Sequence, residues 1–525
     1  MTPKVLIADE LSPRALDIFR ERGLEADFSP GLSPAELAGR IPAYDGLAVR
    51  SATKVTAALL GHAPRLKVIG RAGIGVDNID VPAATQRGIV VMNTPHGNSI
   101  TTAEHAIAMM LALAREIPAA DRSTRAGKWE KSRFMGVELT GKVLGIVGCG
   151  NIGSIVADRA HGLRMKVVAF DPFLGEERAA SLGVQKVELD ELLARADFIT
   201  LHTPLTDSTR NLIDAAALAR TKPGVRLINC ARGGLVVEAD LLAALDSGHV
   251  AGAALDVFAV EPARDNPLFA SERVVVTPHL GASTSEAQEN VALQVAEQIA
   301  DFLLTGAVTN ALNMPSVSAE EAPRLRPYMK LVEQLGSFAG QLTREGVTRV
   351  AIEYEGQAAG LNTRPLTALA LAGLLRPALD SVNLVNAPVI ARERNIEVSE
   401  VKHDRPGDYQ TLVRLSVATD RRTRNVAGTL FGDKPRLVEI KGIRVEAELG
   451  RHMLYVTNED KPGFIGRLGT VLGEAGVNIA VFHLGRTAPG ADAIALIEVD
   501  QPLDEALLAA VRAIPGVVQA EALGF

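Results

Sequence analysis

Residue types that could do chemistry gather at the ends of apolar runs in the middle of this 525-residue sequence. The run KVLGIV leads into Gly148-Cys149-Gly150-Asn151-Ile152-Gly153, and a second run, MKVVAF, ends on Asp171. A strand, a GxGxxG turn, a helix over 154–163 and an acid at the end of the next strand make a dinucleotide-binding fingerprint. Gly148 permits the tight turn, Gly150 lets the backbone approach a pyrophosphate, and Gly153 lets the helix pack on the strand. The helix start offers unpaired N–H groups to the phosphates. Asp171 stands where a carboxylate binds ribose. The Pro-Phe-Leu after it supplies no cation for a 2′-phosphate, which favours NAD over NADP.

Three later segments carry polar groups at strand ends: Asn229-Cys230-Ala231-Arg232, Asp256-Val257-Phe258 leading to Glu261, and Pro278-His279-Leu280-Gly281-Ala282. The carboxyl ends of strands in an open parallel sheet face the ligand crevice. His279 could take an alcohol proton as a hydride leaves. Glu261 could hold the imidazole and favour its protonated form. The planar fork of Arg232 could bind a carboxylate or polarise a 2-oxo group. Together the three read as a hydride-transfer site.

Positioning them requires alternating strands and helices. KVLIAD, DGLAVR, LKVIGRAG and GIVVMN read as strands of a first α/β unit, with a capped helix over 12–23. An apolar helix over 99–117 follows, whose His105 and methionines read as packing. Strand–helix alternation resumes over 143–280, and 284–305 is helical. The expected fold is α/β with two doubly wound parallel-sheet domains. A Rossmann NAD domain (99–286) is inserted in a flavodoxin-like substrate domain (1–98 and 287–314). The proline-containing stretch 314–327 reads as a linker. An α+β intervening domain (315–450), with helices over 330–343 and 366–375, and a β-α-β-β-α-β ferredoxin-like unit (451–525) complete the chain. Lys434, Arg436, Lys441 and Arg451 could form an anion site, but read more simply as a solvated basic face.

The net charge of −7 argues against nucleic acid or an anionic membrane as main partner. No apolar run reaches the roughly 18 residues of a membrane helix, and no signal peptide is evident, so a cytoplasmic location is expected. The two cysteines, Cys149 and Cys230, cannot build a disulfide framework or a metal cluster; no metal is expected.

INCARGGLV, ALDVFAVEP, TPHLGAST and VGCGNIG resemble the D-isomer-specific 2-hydroxyacid dehydrogenases. VRSATKVT, GRAGIGVDNID and MNTPHGNSITTAEHA are similar to the branch that acts on 3-phospho-D-glycerate, and the resemblance spans the chain. It implies catalytic roles for Arg232, Glu261 and His279, with His279 the proton donor. It implies NAD contacts by Asn151, Ile152, Asp171, Thr203, Cys230 and Asp256, the last toward a nicotinamide carboxamide. Gly148, Gly150, Gly153, Ala231, Gly281 and Ala282 complete that expected set. A phosphorylated, carboxylated substrate needs several cations. Arg50 and Arg71, at strand ends of the first domain, are expected to bind it, with Asn98 and Arg133 near the crossing segment and Lys131 beside them. The implied reaction is oxidation to 3-phosphohydroxypyruvate on entry to serine synthesis. Alternatives are another 2-hydroxyacid pair (glyoxylate, hydroxypyruvate or 2-oxoglutarate) or a non-catalytic NAD-sensing scaffold.

The terminal segment, NEDKPG before a helix and GVNI after it, resembles the ACT domain, an amino-acid-binding regulatory module that often pairs between subunits. The resemblance implies serine as a possible effector, with Asp460 on its ammonium, Asn478 and Asn458 beside it, and a homotetramer.

Overall fold

The computed structural model describes residues 2–318, 320–379, 381–404 and 407–525. Five short strands, β1 (Lys4–Ile7), β2 (Glu25–Phe28), β3 (Gly46–Val49), β4 (Val68–Arg71) and β5 (Val90–Asn93), pair in parallel in the order β2-β1-β3-β4-β5. This is the flavodoxin-like order. β3 and β5 are buried along their whole length, which is why they read as continuous apolar runs.

Seven more parallel strands follow: β6 (Val143–Val147), β7 (Lys166–Phe170), β8 (Gln185–Lys186), β9 (Phe198–Leu201), β10 (Val225–Asn229), β11 (Val250–Leu255) and β12 (Val274–Val276). Their order is β12-β11-β10-β9-β6-β7-β8. The direction of winding reverses between β6 and β9, the point where a crevice opens at the carboxyl edge. The fingerprint turn leaves β6 there. Arg232 follows β10, Asp256 follows β11 and His279 follows β12.

Two helices join the sheets. Helix Ser99–Ala114 buries Ala103, Ala106, Met110 and Leu113 in one core with Leu144, Ile146 and Val156 of the second unit. Helix Ser285–Thr305 returns the chain, burying Val291, Val295 and Ile299 with Val5, Val68 and Met92 of the first. The segment after it pairs with β5, where Leu312 N donates to Val91 O at 2.8 Å. Gly70 on β4 makes the close approach possible. A Cβ there would lie 2.5 Å from Val295 Cγ2 and 2.6 Å from Ile299 Cδ1.

Beyond the two parallel sheets, a six-stranded sheet runs Glu397–His403, Val347–Gly356, Thr411–Thr419, Thr423–Phe431, Lys434–Ile440, Ile443–Ala447. Its first pair is parallel and the rest antiparallel. The last unit is β-α-β-β-α-β, with an antiparallel sheet ordered Ile479–Arg486, Asp492–Val499, His452–Glu459, Val517–Gly524. No helix among the described residues is long and apolar enough to cross a membrane.

Four local expectations are corrected. Ser12 caps nothing: the first helix is Arg14–Glu21, with Pro13 in its cap position and no side-chain cap bond. The helix expected over 99–117 stops at Ala114, because Glu116 takes a left-handed conformation (φ 52°), and a separate helix spans Ile117–Arg125. The helix after the fingerprint starts at Asn151 rather than Ser154. Half of the expected 314–327 linker is helical, since helix Glu321–Gln341 runs through Pro327. Leu325, Leu331, Leu335 and Phe338 bury deeply enough in the third core to outweigh the missing backbone bond.

Gly70→Val should drive a side chain into helix Ser285–Thr305 and lower unfolding stability by about 1–3 kcal/mol. Urea titration followed by circular dichroism checks this; an unchanged midpoint would show that the helix does not rest on β4.

Candidate active site

The fingerprint turn is shaped by what a side chain would strike. Gly148 has φ 90°, and a Cβ there would lie 2.6 Å from His202 O and 2.9 Å from Thr203 N. A Cβ at Gly153 would lie 2.1 Å from Gly148 O, so only glycine lets the helix close on the turn. At Gly150 a Cβ would meet nothing within 4 Å, leaving open space before the helix N-terminus. Asp171 fixes this turn: Oδ2 accepts Cys149 N at 2.9 Å and Oδ1 accepts Phe173 N at 2.8 Å. Each oxygen retains a lone pair for a ribose hydroxyl. Asn151 reaches toward the first unit, donating from Nδ2 to Pro95 O at 3.4 Å. Ile152 packs partly buried against the second-unit core. These features fit a dinucleotide.

Cys149 and Cys230 are buried and free. Burial, with Asp171 nearby, pushes the Cys149 thiol up to about 11. Burial and then Asp256 raise that of Cys230 as well. Neither is poised as a thiolate nucleophile.

Asp256 is wholly enclosed, with a relative exposure of 0%. Its Oδ1 accepts Thr277 Oγ1 at 2.6 Å and Leu280 N at 2.7 Å, and lies 3.2 Å from His105 Nε2. Its Oδ2 accepts Gly281 N at 2.8 Å, and its carbonyl accepts His279 N at 2.9 Å. Burial opposes the charge, but bonds from His105, Thr277 and Leu280 prevail and hold the carboxyl below the usual range. His105 is therefore a polar partner of this group, where packing alone was expected.

The loop so held presents His279 at φ 58°, a left-handed conformation uncommon for histidine. His279 Nδ1 lies 2.7 Å from Glu261 Oε2, and Glu261 Oε1 accepts Phe258 N at 3.0 Å. Burial would raise the Glu261 carboxyl, yet His279 and Phe258, with Arg232 further off, keep it low. Nε2 carries no hydrogen bond among the described residues, and half of the ring is exposed. That geometry suits an acid–base imidazole held by a carboxylate.

Arg232 crosses to the first unit. Its Nε donates to Asp77 Oδ2 at 2.9 Å and its Nη1 to Ala231 O at 2.7 Å. A Cβ on Gly75 would sit 1.5 Å from its Nη2. Arg71, at the end of β4, similarly occupies the space above Gly73, where a Cβ would lie 1.6 Å from its Nη1. Arg71 Nε is buried without a partner. Burial, then the charges of Arg232 and Arg50, pull Arg71 down to about 10. Arg50 N is held by Asp9 Oδ2 at 2.6 Å and Arg50 O by Asn78 Nδ2 at 2.8 Å. Among the described residues neither Arg50 nor Arg71 pairs with a carboxylate. Three guanidiniums thus gather here, and the charges of Arg232 and Arg50 both act against that of Arg71, an arrangement suited to an anion. Asn98 Oδ1 is also buried without a partner.

Arg133 does not join them. It is paired with Glu130 at 3.1 Å and Glu272 at 2.7 Å. Sequence reasoning missed Asp77, Gly73, Gly75, Asp9 and Asn78. For Gly73, Gly75, Asp77 and Asn78 the signal was present in GRAGIGVDN, where glycines alternate and leave space for guanidinium groups. In the terminal unit, Asp460 Oδ2 accepts Arg486 Nη1 at 2.7 Å and Gly490 N at 3.0 Å. Asn478 Nδ2 donates to Asp500 at 2.8 Å. Asn458 is buried, with Oδ1 unpartnered.

Residues 107–281 match the family model of the D-isomer specific 2-hydroxyacid dehydrogenase NAD binding domain, which supports NAD(H) as cofactor. Residues 324–441 match the D-3-phosphoglycerate dehydrogenase intervening domain and 452–516 the ACT domain. D-3-phosphoglycerate dehydrogenase of Synechocystis sp. is 44% identical over 98% of this chain and 93% of its own length. Its Bacillus subtilis counterpart is 44% identical over 98% of both chains. Among solved structures, the TT0316 protein from Thermus thermophilus is 37% identical, with TM-score 0.55 over 59% of this chain and 99% of that one. A glyoxylate reductase from Paecilomyes thermophila is 29% identical, with TM-score 0.56 over 59% and 98%.

The Asp256 carboxyl lies below its ordinary 3.8 in the fold, so its stabilisation is complete above about pH 4 and lost as pH falls through the lower folded value. Asp256→Asn should flatten that acid limb. At neutral pH it should cost about 1–3 kcal/mol, because an amide cannot accept from both Leu280 N and Gly281 N. Unfolding measured across acid to neutral pH in both proteins tests this.

Proposed function

The chain belongs to the D-isomer specific 2-hydroxyacid dehydrogenase family, in the branch of the D-3-phosphoglycerate dehydrogenases, and on that premise we propose that it oxidises 3-phospho-D-glycerate to 3-phosphohydroxypyruvate with NAD, opening L-serine synthesis. The observation that carries this reading is the excess of guanidinium charge at Arg50, Arg71 and Arg232 on the same cleft as the His279–Glu261 pair.

A dinucleotide held by the Gly148–Gly153 turn and Asp171 would supply the hydride acceptor for the substrate's C2. His279 Nε2 takes the C2 hydroxyl proton, and Glu261 stabilises the imidazolium through Nδ1. In reverse the same atom returns the proton. Arg232 binds the carboxylate beside C2, while Arg50 and Arg71 hold the phosphate from the first unit. Asp171 takes the ribose hydroxyls and would repel a 2′-phosphate, so NAD is used in preference to NADP. Asp256, enclosed and engaged with the 277–281 loop, positions His279 and Gly281.

His279→Asn should lower kcat by roughly 10²–10⁴-fold and leave NADH affinity unchanged. Loss of NADH binding instead would make His279 structural. Arg71→Ala should raise KM for the phosphorylated substrate by about 10–100-fold, the size of a lost charge-assisted hydrogen bond; an unchanged KM would remove the phosphate assignment.

The terminal unit serves as a serine-binding regulator in this reading, with the amino group displacing Arg486 from Asp460 beside Asn458 and Asn478. Serine should inhibit the wild type and leave Asp460→Ala active but insensitive. Absence of both inhibition and binding heat in calorimetry would make the unit structural only.

A further inference from the structure

The three arginines of the cleft come from three strand ends and two units, yet one loop touches them all. It runs from the end of β4 to Asp80, which caps helix Val81–Gln86. Arg71 and Arg232 fill the spaces that Gly73 and Gly75 leave open. Asp77 Oδ2 accepts Arg232 Nε at 2.9 Å. The next residue, Asn78, serves the third arginine. Its Nδ2 donates to Arg50 O at 2.8 Å and to Thr53 O at 2.7 Å.

Arg50 sits on the turn 50–53 after β3, and two side chains hold that turn. Asn78 takes its carbonyls. The buried Asp9 takes its amides, with Oδ2 accepting Arg50 N at 2.6 Å and Thr53 N at 3.2 Å, while Oδ1 accepts Thr53 Oγ1 at 2.6 Å. The loop that carries Asn78 is itself tied down. Gly73 N donates to Thr94 Oγ1 at 2.6 Å, Asn93 Nδ2 to Ile74 O at 2.6 Å, and Val55 N to Asn78 O at 2.8 Å. Holding Arg50 by its backbone leaves its fork free for a ligand, whereas Arg232, held at Nε and Nη1, offers chiefly Nη2. A guanidinium displaced by about 1 Å loses the geometry that an oxyanion needs.

We propose that loop 73–78 is the specificity element of the cleft, an inference that rests on the function given above. Asn78 and Asp9 are positioning residues for Arg50 and so for the phosphate. Asp77 is one for Arg232 and so for the carboxylate. A single hydrogen-bonded loop thereby fixes the spacing at which both anionic ends of one substrate are held. All three residues act through an arginine, so they set substrate binding and leave proton transfer at His279 untouched.

The test is steady-state reduction of 3-phosphohydroxypyruvate and of hydroxypyruvate by NADH, with the full chain and its Asn78→Ala, Asp9→Asn and Asp77→Ala variants. NADH binding is measured alongside. Asn78→Ala and Asp9→Asn should each raise KM for the phosphorylated compound about tenfold, the size of one charge-assisted bond, and change its kcat less than about threefold. Their kcat/KM for hydroxypyruvate should likewise move less than about threefold. Asp77→Ala should raise KM for both compounds by the same factor, since both carry the carboxylate. Equal losses on the two oxoacids in Asn78→Ala and Asp9→Asn, or an unchanged KM in both, overturn the proposal. The two substitutions are independent, so one that fails to fold leaves the other to decide; loss of NADH binding in both makes the residues structural and also overturns it. A wild type that does not distinguish the two oxoacids refutes the phosphate assignment itself, whereas a discriminating wild type with unaltered variants refutes only the role of the loop.

Discussion

A fully enclosed carboxylate carries much of this active site. Asp256 gathers the hydroxyl of Thr277, the amides of Leu280 and Gly281 and the ring of His105, and its carbonyl takes the amide of His279. A buried charge with one or two partners would be a liability; with four donors it becomes a rigid anchor. The anchor holds the backbone of His279 in an uncommon conformation and brings its ring to Glu261. His105 comes from the crossing helix and Thr277 from the end of the last strand, so the anchor also ties that helix to the reacting loop.

The opposite wall follows a different logic. Arg50 and Arg71 stand at strand ends of the first unit, and Arg232 arrives from the second, held by Asp77. Gly73 and Gly75 lack side chains because guanidinium groups fill that space. The cluster is left short of negative charge, and the deficit defines what must bind there. In the proposed function, acid–base chemistry comes from the second unit, and the first unit adds the charge that selects among 2-hydroxyacids. The return helix packs on Gly70, the neighbour of Arg71 on β4.

Much of this was legible in the sequence because it depends on local pattern. Parallel strands announce themselves as apolar runs, the fingerprint as three glycines at fixed spacing, and the candidate site groups by their places at strand ends. What escaped depends on contacts between segments distant in sequence. The partner of Arg133 is Glu272, 139 residues on, and only the fold brings the two together. His105 sits in an apolar helix, and only the fold brings Asp256 to it. Helix Glu321–Gln341 hid behind prolines because tertiary burial outweighed local propensity.

In the proposed function the guanidinium cluster makes this chain select a phosphorylated 2-hydroxyacid. The most direct measurement is kcat/KM with NADH for 3-phosphohydroxypyruvate against hydroxypyruvate, two oxoacids that differ only in the phosphate. A preference of roughly 10²-fold or more for the phosphorylated compound is expected, the value of two charge-assisted bonds. Equal rates, or a preference for hydroxypyruvate, would contradict it.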